Sequence, residues 1–179
     1  GTIQQSLATR ALDAGARGIV FPQVQSADEA TVAARACRYP PDGTRGAAGS
    51  RNMGWGVTMT LADYIPEANR GVVCVIQVES QDGVDAVDAI ASVPGVDCLF
   101  VGLSDLSVAL GCPAEYAHPD LEAALDRVLA AGRAHGVPVG IPIADVARAA
   151  DYRRRGVSLF TTSDRGMVAN AMTSFRTSF

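Results

Sequence analysis

The chain has 179 residues, 48% hydrophobic and 19% charged, with a formal net charge of −4 and an isoelectric point near 5.1. That composition suits a globular fold with a sizeable core, and the length suits one domain spanning residues 1–179. The acidic balance without a basic block argues against nucleic acid and anionic membrane as partners; no apolar run approaches the roughly 18 residues that span a bilayer, and no signal-peptide pattern opens the chain, so a cytoplasmic protein is expected.

Helices and strands alternate along the sequence. Ile3 to Ala14 carries a helical apolar period and stops at Gly15; Arg17 to Pro22 reads as a short buried strand. Ser26 and Glu29 have the spacing of a capping box, so a helix should run to about Cys37. Arg38 to Asn52, rich in proline, glycine and arginine, reads as a long loop of the kind that is usually functional or disordered. A short helix from Thr60 or Leu61 to about Asn69 precedes a strand over Val72 to Ser80. A helix over Gln81 to Ser92, a strand over Val96 to Gly102 and a helical turn within Leu103 to Leu110 follow. His118-Pro119-Asp120 opens a helix that stops at Gly136, with proline suited to its first turn. Val137 to Ile143 is a strand, Asp145 to Arg155 a helix, Val157 to Thr162 the last strand, and Asp164 to Phe175 mostly helix.

The stretch Val72 to Ser80, VVCVIQVES, organises the rest. It opens as an apolar run of the type found in parallel strands buried on both faces, and it ends in Gln77 and Glu79. Alternation puts Val75, Gln77 and Glu79 on one face. One βα unit later, Asp105 stands just past the end of the next buried strand. Neighbouring parallel strands lie about 5 Å apart, so Glu79 and Asp105 could reach one ion between them. Two plainer readings stand beside this one: Glu79 as a surface salt-bridge residue, and Asp105 as a helix N-cap. Cys37, Cys74, Cys98 and Cys112 lack C-x-x-C spacing and read as buried reduced thiols rather than disulfides or zinc ligands.

Five strands, each followed by a helix, define an α/β fold with a parallel sheet and right-handed crossovers. The two simple solutions are an open doubly wound sheet and a (β/α)₈ barrel, both of which place ligands at the C-terminal ends of the strands. Five strands alone do not close an eight-stranded barrel.

Several segments in order carry a resemblance to a known family: Leu12-Asp13-Ala14-Gly15-Ala16, Arg38-Tyr39-Pro40-Pro41-Asp42-Gly43-Thr44-Arg45-Gly46, Gln77-Val78-Glu79-Ser80, Val101-Gly102-Leu103-Ser104-Asp105-Leu106-Ser107, and Gly156 through to Ser163-Asp164. Together they resemble the HpcH/HpaI family of metal-dependent 2-oxo-acid aldolases, related to macrophomate synthase and the citrate lyase beta subunit. The resemblance implies a (β/α)₈ TIM-type barrel of which this chain covers about the last five βα units. It also implies three further strands ahead of residue 1. In the family these carry a histidine–acid pair for proton transfer and an arginine for the substrate carboxylate.

By the same resemblance Glu79 and Asp105 match the metal ligands, for Mg²⁺ or Mn²⁺ with Co²⁺ as a further candidate, and are the expected catalytic pair. Gln77 matches a residue lining the substrate pocket. Gly102, Leu103 and Ser104 match a turn whose amides face the substrate carboxylate, although family members often have proline and alanine where Leu103 and Ser104 stand. Arg45 is a candidate for a substrate anion, with bracing of its own loop the favoured alternative. The implied activity is a carbon–carbon lyase: a metal-dependent aldolase that forms or cleaves a bond through the metal-stabilised enolate of pyruvate or a similar 2-oxo acid, with an aldehyde as partner and a homo-oligomer as the expected assembly. A lysine Schiff base is excluded within these residues, because the chain contains no lysine. The alternatives are an incomplete barrel that keeps a metal or ligand site without turnover, and a related acyl-CoA lyase.

The remaining polar candidates have structural readings. His118 is expected to cap its helix and His135 to suit the dipole in a last turn. Asp164 is read as a cap rather than a rim residue. Trp55 fits a pocket mouth and an oligomer contact equally well.

Overall fold

The computed structural model describes residues 3–49, 51–143 and 148–177. Helix α1 (Gln5–Asp13) leads into strand β1 (Gly18–Phe21), and α2 (Ala27–Cys37) follows. A 3₁₀ turn over Arg51–Gly56 and helix α3 (Leu61–Gly71) connect to β2 (Val73–Val78). Helices α4 (Gln81–Asp85) and α5 (Val87–Ala91) precede β3 (Cys98–Val101), and α6 (Leu103–Ala109) and α7 (Pro119–His135) precede β4 (Val139–Pro142). Helix α8 (Ala149–Arg155), β5 (Val157–Thr161) and α9 (Asp164–Thr177) complete the described chain.

Local chemistry sets many of these boundaries. The Ser26 hydroxyl accepts the Glu29 N–H at 3.2 Å, and the Glu29 carboxylate accepts the Gln25 N–H at 2.7 Å, so the box closes one residue further out than its usual form. His118 caps α7 through Nδ1, which accepts the Asp120 N–H at 3.3 Å; Pro119 follows, and Gly136 ends the helix at φ 68°. The expected single helix over Gln81 to Ser92 is instead two, because Ala86 leaves helical geometry at φ −91°, ψ 0°. The Arg127 guanidinium donates to the Asp85 carbonyl at 3.0 Å beside that break and to its carboxylate at 2.8 Å. At the start of α9 the cap is Ser163 rather than Asp164: the Ser163 hydroxyl accepts the Gly166 N–H at 3.0 Å, whereas Asp164 is the first helical residue. Asp145, the expected start of the helix ending at Arg155, lies outside the described residues.

All five strands are parallel and stand in chain order, β1-β2-β3-β4-β5. A doubly wound sheet reverses strand order at a switch point; this one does not, and it is therefore an arc of a barrel. Helices α1, α2, α5 and α7 pack as successive neighbours in one layer. Between that layer and the sheet lies one apolar cluster, in which Ile76, Leu99, Val101 and Ile141 meet Leu121, Leu125, Leu129 and Ile90. The other sheet face is the inside of the arc. Val20 pairs in register with Val75, and Gln77 with Phe100; Val20 is 52% exposed and Leu159 40%.

At the N-terminal ends of the strands, Asp97 accepts both the Arg38 guanidinium at 2.8 Å and the Cys74 N–H at 2.7 Å. Arg38 also donates to the Gly95 carbonyl at 2.9 Å. This ties the long loop to the beginnings of β2 and β3. The four cysteines are free and buried. No helix among the described residues is long and apolar enough to cross a membrane.

Candidate active site at the strand ends

Glu79 follows the last residue of β2, where the chain turns toward α4, and it is only 5% exposed. Each of its carboxylate oxygens has a donor. The Gln23 backbone N–H donates to Oε1 at 2.9 Å, and the Gln77 amide donates to Oε2. Gln77 is two residues back on the same strand face, as alternation requires. Gln23 comes from the turn after β1 and holds φ at 54°, a left-handed conformation uncommon outside glycine.

Asp105 stands in the first turn of α6, past the end of β3, with its side chain exposed. It is not the N-cap; Gly102 holds that position. Burial is the main cause that pushes the Glu79 carboxyl above the usual carboxylate range. The donors Gln23 and Gln77 oppose the rise, and the charge of Asp105 and hydrogen bonding with it add to the rise. Among the described residues no arginine or histidine forms an ion pair with either carboxylate. The pair is therefore acidic and uncompensated, and its hard oxygen donors fit a divalent cation. The described residues form no group of three or more His, Cys, Asp or Glu side chains able to hold a metal, so a cation here would complete its shell with water or substrate oxygens.

Gly102 closes the site from the β3 side, with its N–H donating to the Val78 carbonyl at 3.1 Å. Leu103 is buried, and the exposed Ser104 hydroxyl lies 3.1 Å from the Tyr116 hydroxyl. Both line a cavity of about 510 Å³ over the C-terminal ends of β3, β4 and β5, with Arg148 and Thr161 also in its wall. This is the rim on which barrel enzymes carry their chemistry.

Arg45 is not brought to this rim. It is 3% exposed, pairs with Asp13 at 2.6 Å, and lies over the Tyr39 ring at 4.5 Å. It lines a second cavity together with Arg17, Gly71 and Val72, beside the starts of β1 and β2 at the opposite end of the sheet. The candidacy of Arg45 for a substrate anion is therefore replaced by a bracing role. Among the described residues neither histidine pairs with Glu79 or Asp105: His118 caps α7, and His135 contacts Asp88 at 3.0 Å. Trp55 is largely exposed on the 3₁₀ turn. Sequence reasoning missed Gln23 and Tyr116. Only the place of Gln23, two residues past a strand end beside β2, could have pointed to it.

The arc of parallel strands thus carries Glu79 and Asp105 at its C-terminal rim, the end at which barrel folds hold their ligands. The HpcH/HpaI aldolase/citrate lyase family model matches residues 1–170, and the chain belongs to that family. It is 43% identical over 155 residues to the hydroxypyruvate/pyruvate aldolase of Paraburkholderia phytofirmans, covering 84% of this chain and 58% of that protein. It is 40% identical over 163 residues to the 5-keto-4-deoxy-D-glucarate aldolase of Shigella boydii, covering 90% of this chain and 63% of the relative. The chain thus spans about six-tenths of the length of these curated relatives. Among solved structures, an HpcH/HpaI aldolase/citrate lyase family protein from Burkholderia cenocepacia superposes with a TM-score of 0.91 at 43% identity, covering 98% of this chain and 69% of that one. The fold is accordingly that of the TIM-barrel aldolases of this family.

Proposed function

We propose that the chain carries the metal and substrate rim of a class II aldolase, which makes or breaks a carbon–carbon bond through the enolate of pyruvate or a similar 2-oxo acid. The observation that carries this reading is the buried Glu79 carboxylate, held at both oxygens and set against Asp105 without a cationic side chain. Glu79 and Asp105 are the residues that would hold Mg²⁺, Mn²⁺ or Co²⁺. A divalent cation bound there supplies Lewis acidity toward the keto and carboxylate oxygens of the oxo acid, which acidifies its methyl protons. Gln77 keeps Glu79 in its ligating orientation. The Gly102 N–H is held by the Val78 carbonyl, so the Leu103 and Ser104 amides of that turn are the ones that orient the substrate carboxylate, and the cavity beyond Ser104 receives the aldehyde. The similarity to two aldolases supports the substrate class.

The proton acceptor is neither His118 nor His135, both of which are engaged elsewhere. That observation favours the second reading, a barrel portion that binds without turnover. The exposed Val20 and Leu159 on the inner face, and Met172 on α9, support association with further copies. We read residues 1–179 as one domain of an oligomeric, cytoplasmic enzyme.

The test is deuterium exchange into the methyl group of pyruvate, followed by proton NMR with and without Mn²⁺. Metal-dependent exchange that disappears in Glu79→Gln is the expected result. Tight Mn²⁺ binding with no exchange would leave the binding site and remove the turnover.

A further inference from the structure

The Glu79 carboxylate is not oriented by its own strand alone. Its Oε1 is held by a main-chain donor from the turn after β1, 56 residues away in sequence. That turn is fixed independently of Glu79. Val24 is buried at the turn's centre, and its carbonyl would stand 2.9 Å from a methyl group placed on Gly83, so α4 and the turn are in close contact. The Gln25 amide donates to the Ser80 hydroxyl at 3.2 Å, and the Gln25 N–H is taken by Glu29. Immediately before these anchors, Gln23 adopts φ 54° with its N–H on the carboxylate while its side chain stays exposed.

We infer that Gln23 is a positioning residue that acts through its backbone: the left-handed turn at Gln23 presents a fixed N–H that sets the orientation of Glu79 and thereby the affinity of the rim for a divalent cation. The inference rests on the metal-site reading above. Glu79 has one rotatable bond more than an aspartate, and a carboxylate swinging at a strand end would lose much of its value as a ligand. Outer contacts of this type commonly govern metal affinity by about 10- to 100-fold. The role requires a conformation and an N–H, not an amide side chain.

That distinction gives the experiment. Mn²⁺ affinity of the full chain is measured by electron paramagnetic resonance for the wild type, Gln23→Gly and Gln23→Val. Glycine keeps the N–H and occupies positive φ readily, so Gln23→Gly should bind within about twofold of wild type. A β-branched residue resists positive φ, so Gln23→Val should bind roughly 10-fold more weakly. Equal weakening in both variants would assign the role to the side chain and overturn the inference, as would wild-type affinity in Gln23→Val.

A metal-free measurement keeps the inference exposed even where Gln23→Val fails to fold. The hydrogen-exchange protection of the Gln23 amide should fall by about 10-fold or more in Glu79→Ala. Unchanged protection would sink the inference. A wild type that does not bind Mn²⁺ but keeps this Glu79-dependent protection would remove the metal reading and leave the positioning contact standing.

Discussion

Gly102 lies against Glu79 so closely that a methyl group on its α-carbon would stand 2.5 Å from Glu79 Oε2 and 2.9 Å from Gln77 Nε2. The requirement here is space, since Gly102 has φ −75° and any residue could adopt it. Gly102→Ala should therefore push the carboxylate and its partner amide apart while leaving the turn formed. Mn²⁺ affinity should fall by about 10-fold or more, the magnitude typical of a disturbed ligand orientation. Titration of the variant with Mn²⁺ checks this, and wild-type affinity would show that Glu79 has room to move.

Glu79 also makes stability depend on pH. Its folded carboxyl titrates above the ordinary value of 4.5, so between 4.5 and the raised folded value the native protein binds more protons than the unfolded chain. Stability of the metal-free protein should fall as pH rises through that window, with the penalty absent below it. Glu79→Gln removes the ionisation. Its Tm at pH 7 should exceed that of the wild type by a few degrees, and the gap should close toward pH 4. Thermal melts in chelator across that range decide the matter; a gap that widens on acidification would reverse the sign.

Arg45 and Asp13 predict a loss of stability without a loss of binding. Removing either partner of a buried ion pair typically costs about 3–5 kcal/mol, and the partial exposure of Asp13 places the expectation for Arg45→Ala near the lower figure. Arg45→Lys should recover little, because the planar guanidinium both pairs with Asp13 and covers the Tyr39 ring. Urea denaturation measures the loss. Mn²⁺ affinity should be unchanged, and a parallel drop in affinity would return Arg45 to the site.

The thiols supply a fourth test. All four cysteines are buried, and burial pushes the Cys98 thiol up to about 11, with Asp97 adding to the rise. The reagent must reach a thiol to react, so burial should make the native protein resist Ellman's reagent at pH 8, with four equivalents released in denaturant. Rapid modification of one thiol in the native state would reveal opening of the arc on the experimental timescale.

The parts of this molecule that a reader of the sequence can see are those set by local pattern. Glu79 and Asp105 stand out because carboxylates past the ends of buried apolar runs are visible as such. Ser26 and Glu29 announce their helix three residues apart, and His118-Pro119 announces another. Strand order is different: nothing local in Val73–Val78 or Val139–Pro142 says whether the sheet reverses; the barrel was implied by the family resemblance alone, and the tertiary pairing bears it out as an arc. The same holds for Gln23, whose φ and N–H matter because β1 happens to lie beside β2. Arg45 was ambiguous for a related reason. Its partner Asp13 is 32 residues away, and the path of a long loop decides which end of the sheet an arginine reaches.

The junction of Arg38, Asp97, Gly95 and the Cys74 N–H lies at the opposite end of the strands from Glu79 and Asp105. Cohesion and the candidate site are thus housed at separate ends of the same strands. A substitution at Ser104, Tyr116 or Thr161 reshapes the cavity without touching the tie that joins the long loop to β2 and β3. Such a scaffold is evolvable: side chains can be exchanged at one rim while the other keeps the strands in register.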